Sequence, residues 1–225
     1  MQNPSRRSLV SLAALPFASR LLAAGGSSKA GMAGPDAASE EARENLRRRY
    51  FPDVVLRTQD NKKVHFYEDL IKDKIVVINV FYAKCEGVCP GITANLVKVQ
   101  RLLGDRVGRD IFMYSLTLKP ETDTPAVLKE YAESYRVRPG WTFLTGQPRD
   151  AELLRRSLGF TDPDPKLDKD KSQHIGNIKF GNERYMLWSA CPGMAHAPWI
   201  VKSIDWMDRA KAHQESNSAC CEGKS

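Results

Sequence analysis

The chain has 225 residues, 42% of them hydrophobic and 27% charged, a globular composition well away from that of a disordered chain and long enough for one domain with appendages or two small domains. Its net charge of +7 says little about partners, because Arg6, Arg7, Arg20 and Lys29 fall in the first 34 residues, which contain no Asp or Glu. The remaining 191 residues carry only +3 and no Lys/Arg block interleaved with aromatics, so nucleic acid is not an expected partner.

In chain order, the first 33 residues have the marks of an export signal and tether. Arg6-Arg7 precede a modest apolar run from Leu9 to Ala18, and small residues follow (Ala23-Ala24-Gly25-Gly26); this is the layout of a secretory leader. The paired arginines point to the twin-arginine route and a periplasmic location. Pro16 interrupts the apolar run and Arg20 ends it, well short of the ~20 apolar residues needed to span a bilayer, so the chain is expected to be peripheral to a membrane at most. Export places cysteines in an oxidising compartment. The expected organisation is a leader over 1–33, a linker with a short charged helix over 34–50, a folded domain over 51–212 and a flexible tail over 213–225.

Within the domain, Val54-Val55-Leu56 and Val64-His65-Phe66 flank Asp60-Asn61-Lys62 and predict a hairpin with a polar turn. Ile75 to Tyr82 is almost wholly apolar and rich in β-branched residues, as befits a central strand covered on both faces. It breaks into Cys85-Glu86-Gly87-Val88-Cys89-Pro90. A helix follows with apolar positions Ile92, Leu96, Val99 and Leu103, ending near Gly104. Ile111 to Leu118 predicts another strand, and Thr124-Pro125 an N-cap with Pro at the first helical position. A short strand at Trp141 to Leu144 comes next, then a helix from Asp150 to Leu158 with Leu153, Leu154 and Leu158 inward. Thr161 to Gln173 is a polar loop. Ile175 to Phe180 and Arg184 to Trp188 are expected to pair around Gly181-Asn182, with Met186 in the hairpin core and a last helix after Pro198. The alternation describes a layered α/β sheet with helices on both faces.

The chemistry concentrates at one strand-to-helix turn. Cys85 and Cys89 stand four apart, a spacing that puts both sulfurs on one helix face. The N–H groups and positive dipole of a helix start favour thiolate over thiol. Open α/β sheets place ligands at such strand ends. Two thiolates there can bind a soft metal or close into a disulfide. Soft ligands suit Cu(I) and also zinc, but a structural zinc site wants four protein ligands, and no second close pair lies nearby. One imidazole would complete a three-coordinate copper site. His65, His174, His196 and His213 are the candidates, and spacing alone does not choose among them.

Several ordered motifs resemble one family. Phe81-Tyr82-Ala83-Lys84-Cys85-Glu86-Gly87-Val88-Cys89-Pro90 is similar to the cysteine motif of the Sco/SenC copper chaperones, which have a thioredoxin-like fold. Asp123-Thr124-Pro125 resembles that family's Asp-Thr-Pro helix start, and Thr142-Phe143-Leu144-Thr145-Gly146 its next strand. The resemblance implies copper held by Cys85, Cys89 and His174, the last lying 85 residues beyond Cys89 at the end of the long polar loop. It also implies a client: the family delivers copper to the binuclear site of a respiratory oxidase, or keeps that site's cysteines reduced. The chain departs from the family pattern at Gly87-Val88 and at Lys119-Pro120, where acidic residues are usual.

Two alternatives stay open. The Cys85/Cys89 pair can serve a thiol–disulfide oxidoreductase, whose cysteines attack and resolve a partner disulfide, or a copper or redox sensor. Trp141, with Pro139 two residues earlier, is read as occupying the slot where oxidoreductases of this fold place a cis-proline, which favours the carrier. Cys191, Met194 and His196 form a possible second soft-metal cluster with Cys220 and Cys221; the simpler expectation is a loop cysteine linked to the tail, or unrelated residues.

Overall fold

Every residue of strand β3, Ile75–Phe81, is buried, and the sheet is built outward from it. The computed structural model describes residues 40–170 and 176–208; the expected leader, His174, and the tail with His213, Cys220 and Cys221 lie outside the described residues. The strands are β1 (Val55–Thr58), β2 (Lys63–His65), β3, β4 (Ile111–Thr117), β5 (Trp141–Thr145), β6 (Asn177–Asn182) and β7 (Leu187–Pro192). They form one sheet in the order β2-β1-β5-β4-β3-β6-β7. β3, β4 and β5 run parallel. β6 lies antiparallel to β3, and β7 to β6. β1 and β2 are the expected N-terminal hairpin, paired onto β5.

The helices are α1 (Glu40–Tyr50), α2 (Cys89–Leu103), α3 (Pro125–Ser134), α4 (Pro148–Ser157), α5 (Pro165–Lys169) and α6 (Ala197–Asp205). The β3–α2–β4 and β4–α3–β5 crossovers step the same way across the sheet, so right-handedness puts α2 and α3 on one face. There the Thr93 and Tyr131 hydroxyls meet at 2.9 Å. Phe81 of β3 packs on Tyr131 of α3, ring centres 5.1 Å apart, and Ile78, an odd number of residues away on the same strand, points to the other face. On that side Ile78 of β3 meets Leu158, at the end of α4, and Leu46 of α1. This is a three-layer, thioredoxin-like α/β architecture with β1–β2 and β6–β7 added as hairpins.

The helix starts follow the chemistry expected of them. Thr124 accepts the Val127 N–H at its side chain, and Pro125 occupies the first turn of α3, where its missing N–H forfeits no bond. Gly159 turns the chain after α4 with φ +68°. Behind β4, Trp141 Nε1 donates to Ser115 Oγ at 2.8 Å, and Ser115 donates on to Asn79 Oδ1 at 2.6 Å. Three buried polar side chains are thereby satisfied without water.

Six expectations need correction. The β6–β7 turn is not at Gly181-Asn182; both are inside the ladder, paired with Trp188 and Leu187. Gly181 is required by packing, since a Cβ there would sit 2.4 Å from Trp188 Cε3. The turn is Glu183–Tyr185, closed by Met186 at φ +53°, so Met186 is a half-buried turn residue and not hairpin core. It is anchored by the Glu183 carboxylate, which accepts the Tyr67 hydroxyl and the Asp73 N–H, each at 2.8 Å. Leu153 is 46% exposed, while Leu154 and Leu158 are buried. The polar loop from Thr161 contains α5, whose Asp168 pairs with buried Arg155 through two bonds of 2.6 and 2.8 Å. Cys191 is on β7, not in a loop. Trp141 does not face the cysteine turn: it is level with Met113 on β4, which is level with Val77 on β3, toward the far end of the sheet. Its bulk is therefore no argument against an oxidoreductase.

Candidate functional site

Strand β3 ends at Phe81, and the next eight residues carry the chain to the first turn of α2. The Cys85 N–H donates to the Tyr82 carbonyl at 3.2 Å, which folds this segment into a tight turn. Cys89 is the first residue of α2, preceded by Val88, whose side chain cannot cap. The Cys85 sulfur supplies what Val88 lacks. It accepts the backbone N–H groups of Gly87 and Cys89, together with the Cys89 thiol and the Tyr82 hydroxyl. Both cysteines are unbridged and buried, 7% exposed at Cys85 and 1% at Cys89.

The surroundings make the two sulfurs unequal. Burial raises the Cys85 thiol, but the hydrogen bonds from Cys89, Tyr82 and Gly87 outweigh it and hold Cys85 below the ordinary thiol range. Burial, with the neighbouring Cys85 sulfur, pushes Cys89 up to about 12. The Tyr82 hydroxyl, donating to Cys85, is likewise raised to about 12. Lys119 Nζ lies 4.0 Å from the centre of the Tyr82 ring, so this lysine has a definite place, stacked on the residue that supports Cys85.

The turn is held from behind by a residue that did not stand out as part of the site. Asp123, 2% exposed, accepts the Ala83 N–H at 3.0 Å and the Thr117 hydroxyl at 2.5 Å through one carboxylate oxygen. The signal was present as the acid before Thr124-Pro125, but a helix-start motif does not reveal that the acid reaches the cysteine turn.

From the other side, the chain entering β6 lies on the same turn. A Cβ at Gly176 would be 3.0 Å from Ile92 Cδ1 and 3.7 Å from Val88 Cγ2. The Gly176 carbonyl accepts the Gly193 N–H at 2.7 Å. Asn95 Nδ2 of α2 donates to the Gly193 and Ala195 carbonyls at 2.9 and 2.7 Å, which fixes the segment after β7 against the start of α2.

Of the predicted ligands, then, Cys85 and Cys89 meet at this turn and His174 lies outside the described residues. The second cluster does not form among the described residues. Cys191 is buried and raised to about 11 by that burial, whereas Met194 is 62% exposed and His196 is exposed. His65 is exposed and near Asp53 at 3.3 Å. Among the described residues no three His, Cys, Asp or Glu side chains gather to hold a metal, and no helix is long and apolar enough to cross a membrane.

The SCO1/SenC family model matches residues 53–180, more than half the chain and the whole run from β1 through the cysteine turn into β6. The chain belongs to the SCO1/SenC family. A curated relative, the SCO1 protein homolog of Bacillus subtilis, is 31% identical over 91 residues, 40% of this chain and 46% of that protein; the match spans about half the relative's length. Among solved structures, Bradyrhizobium japonicum ScoI with copper bound superposes with a TM-score of 0.57 at 22% identity, covering 69% of this chain and 98% of that one. BsSco, described with a disulfide switch and as a member of the Sco family of cytochrome c oxidase assembly proteins, superposes with a TM-score of 0.57 at 23% identity, covering 69% of this chain and 91% of that one. At these identities the superpositions show a shared fold.

Proposed function

We propose that this SCO1/SenC protein is an exported copper carrier that binds one copper ion through Cys85, Cys89 and His174 and passes it to the copper-receiving subunit of a respiratory oxidase. The observation that carries this reading is the pair of unbridged, hydrogen-bonded thiols at the start of α2, a soft donor set suited to Cu(I). Placement of the third ligand is supported by what flanks His174 on both sides. Gly176, two residues later, packs on Val88 and Ile92. Asp170, four residues earlier, bears electrostatically on Tyr82. Two residues of chain reach at most ~7 Å, and that short link to a glycine packed on the start of α2 supports the choice of His174 over the other histidines. The family resemblance and the copper-bound ScoI structure support copper as the cargo, and the Arg6-Arg7 leader supports export.

Loading follows from the thiol chemistry. Both cysteines lose their protons as copper binds, so affinity rises with pH. Cys85, already the more acidic, ionises first, and its negative charge sits among N–H and O–H donors. Cys89 surrenders its proton only against a partner that replaces it, which is the metal. Transfer is ligand exchange: copper moves from these thiolates to those of the client through shared coordination, with no net oxidation.

The same asymmetry supports a second reading, in which the Cys85 thiolate attacks a client disulfide. Cys89 then resolves the mixed disulfide, leaving Cys85–Cys89 oxidised and the client's two cysteines reduced. Stoichiometric copper transfer from loaded protein to a reduced apo copper domain, measured beside turnover of a disulfide substrate, separates the two. Transfer without turnover is expected. Turnover that survives His174→Ala, with no transfer, would replace the carrier by the reductase.

A further inference from the structure

On the face of the sheet away from α2 lies a cavity of about 380 Å³, within the size range of small-molecule sites. It is unrelated to the cysteine turn. Its floor is Ile78 of β3; Leu46 and Tyr50 of α1, with Phe51 just beyond, form one wall, and Leu158 at the end of α4 the other. Phe51 is wedged against Trp188 with ring centres 5.0 Å apart, which closes the back.

Two residues of this lining, Trp188 and the half-buried Lys179, carry donor groups that have no partner among the described residues. Trp188 Nε1 is buried with no hydrogen-bond partner among the described residues. The Lys179 ammonium, beside Gly159 and 5.6 Å from the centre of the Phe160 ring, has no ion pair among the described residues. Burial holds its pKa below the ordinary lysine value, with no carboxylate acting on it. No Asp or Glu lines the cavity. A mostly apolar chamber bordered by an unpartnered indole N–H and an ammonium with no counter-charge is complementary to a ligand with an apolar body and an anionic, acceptor-only head.

We infer that the cavity between α1, α4 and the β6–β7 hairpin is a binding site for an amphipathic monocarboxylate, with its apolar chain over Ile78 and Leu46 and its carboxylate taken by Lys179 and Trp188. This uses no residue of the copper site, so it stands or falls separately from the carrier reading.

The test uses the full-length, copper-free chain labelled with ¹⁵N and titrated with decanoate, followed at the Trp188 indole cross-peak, which Trp188→Phe assigns. The peak should move and saturate. Decanol should bind about tenfold more weakly, as expected for loss of a charged hydrogen bond, and decylamine should not compete. Lys179→Gln should abolish the preference for decanoate over decanol, and Lys179→Arg should retain it. A Trp188 peak that decanoate leaves in place, equal binding of decylamine, or a carboxylate preference that survives Lys179→Gln would each overturn the inference.

Discussion

The Asp123 carboxylate accepts the Ala83 backbone N–H at 3.0 Å across forty residues of sequence, joining the start of α3 to the turn that carries Cys85. The same oxygen takes the Thr117 hydroxyl at the end of β4. One buried acid thus sets where the cysteine turn leaves the sheet. Asp123→Ala leaves two donors without their acceptor, a loss of about 1–3 kcal/mol each. Chemical denaturation should show that loss, and copper affinity should fall although no ligand has changed. Asp123→Asn, which keeps one acceptor oxygen, should be milder.

The Tyr82 hydroxyl acts on Cys85 by donating to its sulfur. In reduced, copper-free protein, the pH profile of alkylation should place Cys85 below the ordinary thiol value of about 8.5, and Cys89 should react last. Tyr82→Phe removes a donor to the thiolate, so the Cys85 midpoint should rise and its alkylation at pH 7 should slow. An unchanged profile would mean that the backbone N–H groups alone hold the charge.

Gly181 sits beneath the Trp188 indole. Gly181→Ala cannot be absorbed by a flexible tip, because the neighbours are ring and backbone atoms. It should cost about 1–3 kcal/mol, the usual range for overpacking, seen as a lower denaturation midpoint with an unchanged slope.

Asp168 anchors α5, six residues before His174, on the Arg155 guanidinium. That ion pair, with the Asp162 N–H, holds the Asp168 carboxyl well below the usual carboxylate range. A carboxyl whose pKa is lower folded than unfolded contributes fully above about 3.9 and progressively loses its contribution as pH falls below it. The stability gap between the natural chain and Asp168→Asn should therefore be wide at pH 7 and narrow toward pH 3, measured by denaturant titration at each pH.

How far the sequence discloses this molecule depends on the range of the interactions involved. The central strands, Thr124-Pro125 and the periodic face of α2 are local patterns, and they fold as the pattern says. The Cys85/Cys89 pair is local too, although Cys85 lies in the turn before α2 and not on the helix face that the four-residue spacing suggests. The β6–β7 turn was misplaced because Gly181-Asn182 looks like turn chemistry, while the reason for the glycine is an indole seven residues away. Trp141 was misread because strand order, not sequence order, decides what lies opposite the cysteines: β6 is beside β3, and β5 is not. Asp123 and the Trp188–Lys179 cavity are products of long-range packing, and no local pattern marks either.

The most direct measurement is copper stoichiometry and coordination in anaerobically purified, reduced protein, comparing the natural chain with His174→Ala. The account predicts one copper per chain with two sulfur neighbours and one imidazole nitrogen, and in His174→Ala a sharp loss of affinity with the nitrogen gone from the X-ray absorption spectrum. Equal affinity and an identical spectrum in the two proteins would contradict it.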